Sequence, residues 1–134
     1  MAWKTSVLVV ANQTADSDEL LEALRARSAQ GSVEYTLLLP ARPGYGREES
    51  RKRLGEAIER LRASGVEVNG MVGDEDPVSA VKEAWDPGKY DEIVVSTLPT
   101  GTSKWLQIDL PHRVERVTGV PVRHVVAGAR AARA

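Results

Sequence analysis

Two polar segments hold the residues through which this chain could do chemistry. Asn12-Gln13-Thr14 follows one apolar run, and Ser96-Thr97-Leu98-Pro99-Thr100-Gly101-Thr102-Ser103-Lys104 includes the end of another. In the second segment hydroxyls, a glycine and a lysine fall close together. Backbone N–H groups near a glycine, backed by Ser/Thr and Lys, can cradle an anion. Asn12 can hydrogen-bond a base or a sugar, and it can equally do no more than organise the turn with Thr14. The candidate nucleotide or anion site is therefore Asn12, Thr97, Thr100, Gly101, Thr102, Ser103 and Lys104. Neither G-x-x-x-x-G-K-[ST] nor G-x-G-x-x-G occurs, so a solvent-exposed loop is the competing reading of the second segment.

Catalysis finds little support. His112 and His124 are the only histidines, at the start of the last predicted helix and within the last predicted strand, and both read as structural or exposed. Cysteine is absent, which excludes thiolate chemistry, disulfides and Cys metal sites. No serine sits in a nucleophile elbow, and no His/carboxylate spacing suits a metal. Asp74 and Asp76 read as turn and cap residues. Trp85, at helical spacing, reads as core, and Trp105 either packs over its loop or stacks on a base. The expectation is no catalytic and no metal site, and more a binding protein than an enzyme.

Composition narrows the partners. The 134 residues carry a formal net charge of −1 and a pI near 6.1, too little field to hold nucleic acid or an anionic membrane. Arg51-Lys52-Arg53 lies among Glu48, Glu49, Glu56 and Glu59 and reads as a solvated helix face. No apolar run approaches the ~20 residues of a membrane span. The N-terminal residues lack a signal-peptide pattern. The expected location is the cytoplasm.

The elements that must position these residues alternate regularly. Strands are expected at Ser6–Ala11, Val33–Leu39, Val66–Val72, Glu92–Thr97 and Val120–Ala127. The first is a continuous Val/Leu run, as in a parallel strand covered on both faces. Four helices fill the links. One opens on an Asp16-x-x-Glu19 capping box and ends before Gly31. The next, Glu48–Ser64, carries Leu54, Ala57, Ile58 and Leu61 as its buried stripe, with Gly65 as its stop. A third starts at Asp76-Pro77 and runs to about Trp85. The last spans Pro111–Val117. Leu98–Asp109 is read as a polar-rich connection. Helical crossovers between all strands predict a doubly wound, Rossmann-like five-stranded parallel sheet with helices on both faces. Residues 1–127 form the domain and 128–134 a flexible tail. The candidate site falls beyond the C-terminal ends of the strands, where such folds bind ligands.

The order of these elements, with VLVVANQT, GDEDP and EIVVSTLPTGTSKWL followed by HRVERVTGVPVRHVV, resembles the universal stress protein family from about Lys4 to Ala127. The resemblance implies strand order 3-2-1-4-5 and a homodimer through the fifth strand, Val120 to Ala127. One branch of that family binds ATP through Gly-x-x-Gly, a nine-residue spacer, and Gly-Ser or Gly-Thr. Here Ser96, Pro99, Asp109 and Leu110 stand at those positions, and Asn12 stands where that branch carries Asp. Proline donates no N–H, and Asp109 opposes phosphate by about 1 kcal/mol or more at close range. The expected function is a dimeric regulatory or binding module with lost or altered nucleotide binding, acting through protein partners or a small ligand. The alternative is an adenine-nucleotide (ATP or AMP) binder with a non-standard phosphate loop. A small phosphoester hydrolase is a third reading.

Overall fold

The computed structural model describes residues 4–42, 44, 46–99 and 104–127. Five strands, β1 (Thr5–Val10), β2 (Val33–Pro40), β3 (Val68–Gly73), β4 (Glu92–Thr97) and β5 (Val122–Val126), form one parallel sheet in the order β3-β2-β1-β4-β5. The expected architecture and strand order are both present. The helices are α1 (Asp18–Ser28), α2 (Arg47–Ala63), α3 (Pro77–Ala84), α4 (Lys104–Gln107) and α5 (Leu110–Thr118).

Alternation along the central strand divides the core in two. Val7, Val9 and Ala11 pack with Leu20 and Leu24 of α1 and with Leu54, Ala57 and Leu61 of α2. Leu8 and Val10 pack on the other face with Ala80 and Val81 of α3 and Leu110 and Val114 of α5. The uninterrupted apolar run of β1 is therefore buried on both sides, as its composition predicts. Each buried Val or Leu contributes about 1.5–3 kcal/mol relative to exposure. Two glycines let α2 and α3 approach the sheet. A Cβ on Gly70 would lie 2.9 Å from the Leu37 carbonyl oxygen and 2.8 Å from Leu54 Cδ1, and one on Gly73 would lie 2.8 Å from Ala80 Cβ.

Several boundaries differ from expectation for identifiable reasons. The cap of α1 is Ser17, not Asp16: its buried hydroxyl accepts from Leu20 N at 3.2 Å, while Asp16 stays exposed in the preceding turn. The helix ends at Ser28, before Gly31 as expected. Pro40 does not stop β2 but ends it, pairing with Gly73, because a final strand residue can dispense with its N–H. Strand β3 begins two residues late, since Val66 N turns back to cap α2 by donating to Leu61 O. Pro121 cannot donate to the ladder, so β5 begins at Val122. The connection after β4 contains α4, a fifth helix where none was expected. Asp76 caps α3 as predicted, accepting from Ser79 N (3.3 Å) and Ser79 Oγ (2.8 Å), with Pro77 behind it in the first turn.

Strand β3 closes one edge of the sheet and β5 the other. On β5, Val126 is 43% exposed. Among the described residues no helix is long and apolar enough to cross a membrane.

Candidate functional site

Neighbouring strands β1 and β4 send the chain to opposite faces of the sheet, β1 into α1 and β4 into α4 and α5. Between the diverging segments lies a cleft of about 450 Å³. Its walls come from the ends of all the inner strands: Asn12, Gln13 and Thr14 after β1, Pro40, Ala41 and Arg42 at the end of β2, and Ser96, Thr97 and Leu98 at the end of β4. Glu75 and Pro77 close the α3 side, and Lys104, Trp105 and Ile108 the α4 side.

The structure thus brings Asn12, Thr97 and Lys104 of the expected site together. Thr100, Gly101, Thr102 and Ser103, the other expected residues, lie outside the described residues. Lys104 is exposed at the start of α4, and Trp105 packs against the α3/α5 core while showing part of its ring to the cleft.

Asn12 is held by partners that sequence reasoning did not supply. Its Nδ2 donates to the Pro40 carbonyl at 2.9 Å, and its Oδ1 accepts from Arg53 Nη1 at 2.8 Å. Arg53 Nη2 also donates to the Asn12 carbonyl at 2.9 Å. The amide suits this position because it both donates and accepts. An aspartate would satisfy Arg53 but set a second oxygen against the Pro40 carbonyl. The reading of Arg51-Lys52-Arg53 as a solvated face is thus corrected at Arg53, which is half-buried while Arg51 and Lys52 are exposed. Helical phase carried a signal: Arg53 lies three residues after Ser50 and four before Ala57, both buried.

The floor of the cleft is a pair of hydroxyl contacts. Thr14 Oγ1 and Ser96 Oγ are 2.6 Å apart and buried, joining the segment after β1 to the end of β4. Thr97 Oγ1 is 2.7 Å from Nε2 of His124 on β5. His124 titrates below its usual range because partial burial disfavours the imidazolium. The two hydroxyl residues point to opposite faces of β4, as neighbours on a strand must.

Asp109 stands after α4 with φ 55° and ψ 49°, a left-handed backbone and the only positive φ outside glycine among the described residues. The position keeps the conformation a glycine favours although it bears a side chain. Asp109 makes no side-chain cap to α5. Its Oδ2 instead lies 2.9 Å from His112 Nδ1, on the exposed side of the helix start. The carboxylate raises the His112 imidazole above its usual range, by hydrogen bonding first and by charge second.

Comparison with protein families and with curated proteins finds no match to this sequence. Comparison with solved structures does. A universal stress protein in complex with cAMP superposes over 95% of this chain and 99% of its own, with a TM-score of 0.64 and 23% identity. A universal stress protein from Archaeoglobus fulgidus in complex with dAMP superposes over 93% and 99%, with a TM-score of 0.63 and 14% identity. A protein of the same family from Burkholderia pseudomallei covers 90% and 94% at a TM-score of 0.52 and 20% identity. This chain has the universal stress protein fold.

Within that universal stress protein fold, Asp109 occupies a glycine-type backbone position. The Asp109→Gly variant should therefore keep its stability within about 0.5 kcal/mol, relief of the left-handed strain offsetting the added chain entropy. Asp109→Val should lose about 1–3 kcal/mol by urea denaturation. In the glycine variant the His112 resonance should titrate lower than in the wild type. The sign follows from the raised value: whatever stability the Asp109–His112 pair adds is complete below the unfolded value of about 6.5 and lost as pH rises through the folded one. An unchanged His112 titration in Asp109→Gly would contradict the contact.

Proposed function

We propose that this chain is a binding module whose cleft takes a nucleoside monophosphate and has lost the triphosphate mode. The observation that carries the proposal is the cleft itself, set where β1 and β4 part and about 450 Å³ in volume. That size falls within the range of small-molecule sites. One wall is apolar, from Leu98, Trp105 and Ile108, and suits the face of a base. The other is polar, from Gln13, Thr14, Ser96 and Thr97, and suits a sugar and one phosphate.

Charge argues for a small anion. Among the described residues, the charged groups lining the cleft are Arg42, Lys104 and Glu75, an excess of a single positive charge. A mono- or dianion matches that balance, and a triphosphate exceeds it. Pro99 offers no N–H to a phosphate chain. Structures of the same fold hold cAMP and dAMP, both monophosphates.

The same reading includes pairing of two copies along the open edge of β5. Val126, 43% exposed on that strand, supports it, since an exposed apolar edge is a liability unless covered. Sedimentation velocity should find a dimer at micromolar concentration, and a monomer throughout that range would remove this part of the proposal.

Calorimetric titration of nucleotide-free protein tests the ligand. AMP should bind with a dissociation constant of about 100 μM or tighter, roughly 5.5 kcal/mol, and ATP with Mg²⁺ at least about tenfold more weakly. Tighter binding of ATP, or no heat with AMP, would contradict the proposal.

A further inference from the structure

The contact between Thr97 and His124 links the cleft to the outermost strand. Thr97 lines the cleft yet is only 2% exposed, so its one hydroxyl is its means of polar contact with a ligand. That hydroxyl already has a partner in His124 Nε2, 2.7 Å away. A hydroxyl has one hydrogen, and the direction of this bond decides where the hydrogen goes. If Nε2 carries no proton, Thr97 donates to it and shows the cleft only lone pairs. If Nε2 carries one, the imidazole donates to Thr97 Oγ1, and the hydroxyl hydrogen is free to point at an anionic oxygen.

We propose that His124 is a positioning residue for the cleft, setting whether Thr97 meets a ligand as a donor or as an acceptor. The inference rests on the reading of the cleft as an anion-binding nucleotide site. Neutral imidazole can adopt either form, whereas the imidazolium always donates and adds a positive charge. Binding of an anion therefore strengthens as His124 is protonated.

The surrounding charges leave His124 free to act in this way. Glu115 on α5 accepts from Val122 N at 2.9 Å, and Arg113 and Arg116 on that helix are exposed. Arg27 of α1 and Glu92 of β4 pair with each other at 3.0 Å, and they line a small cavity together with Arg123 on the α1 side of the sheet. Lys104 of α4 lines the cleft itself. Burial alone moves the His124 titration, and it moves it downward. The sign for binding follows: an anion raises the value in the complex, so affinity climbs as pH falls through the bound value and levels off below the free one.

The probe is cAMP, whose single negative charge does not change between about pH 5 and pH 8. Wild-type protein should bind it about fivefold more tightly at the lower pH, and His124→Gln, which retains a hydrogen-bonding group but does not titrate, should lose that dependence. Neutral adenosine should show no such rise in either protein. A rise that survives in His124→Gln, or a flat profile in a wild type whose His124 titrates in this range, would overturn the proposal. A second arm needs no ligand. In free protein followed by NMR, Thr97→Val should lower the His124 titration further by removing the acceptor of the imidazolium. An unchanged titration would overturn the inference. Should cAMP fail to bind at any pH while this arm succeeds, the nucleotide reading falls and the His124–Thr97 linkage stands.

Discussion

Parallel pairing of β1 with β4 is the constraint on which the rest of this structure depends. Val7 to Val10 lie beside Glu92 to Val95, in the middle of a sheet whose outer strands are added in both directions. From that pair the chain must leave toward opposite faces, because α1 and α2 cover one face and α3 and α5 the other. The parting cannot be filled by the backbone of either strand, so a cleft results from topology before any side chain is chosen. The apolar run of β1, buried on both faces, supplies the energy that holds the pair in register.

Side chains then close the floor of that parting with hydrogen bonds that join distant segments. Thr14 meets Ser96, Thr97 meets His124, and Arg53 spans from α2 to hold Asn12 against Pro40. Each satisfies a polar group at a strand end where ladder partners run out, and leaving one such group unmet would cost about 1–3 kcal/mol. The same economy limits what the cleft can offer a ligand. Asn12 is largely committed to the protein, and Thr97 is available only in the sense that His124 permits.

Much of the fold was legible in the residues. Strand β4 matches its expected span, since EIVVST is a short apolar run bounded by turn residues, and Asp76-Pro77 began a helix as its chemistry requires. The misplaced cap of α1 shows why boundaries are harder: Asp16 has Glu19 three residues on and Ser17 has only Leu20, yet it is the buried serine hydroxyl that accepts from Leu20 N. The site was legible as a location more than as a set of contacts. Its segments could be named from the strand ends, but Arg53 lies 41 residues from Asn12 and His124 lies 27 from Thr97. No local pattern announces a partner at that separation. Asp109 could be recognised as a departure from a glycine motif, yet the glycine conformation that its backbone keeps is set by the turn between α4 and α5, which no residue type announces.

Backbone amide shifts followed by NMR during titration with AMP report where a ligand sits independently of how tightly it binds. The largest changes should fall on both sides of the parting, at Gln13 and Thr14 after β1 and at Thr97 and Leu98 at the end of β4, with smaller ones at Trp105 and Ile108. Changes confined to the neighbouring cavity lined by Gly46, Arg47 and Asp74, or spread without a centre, would contradict this placement.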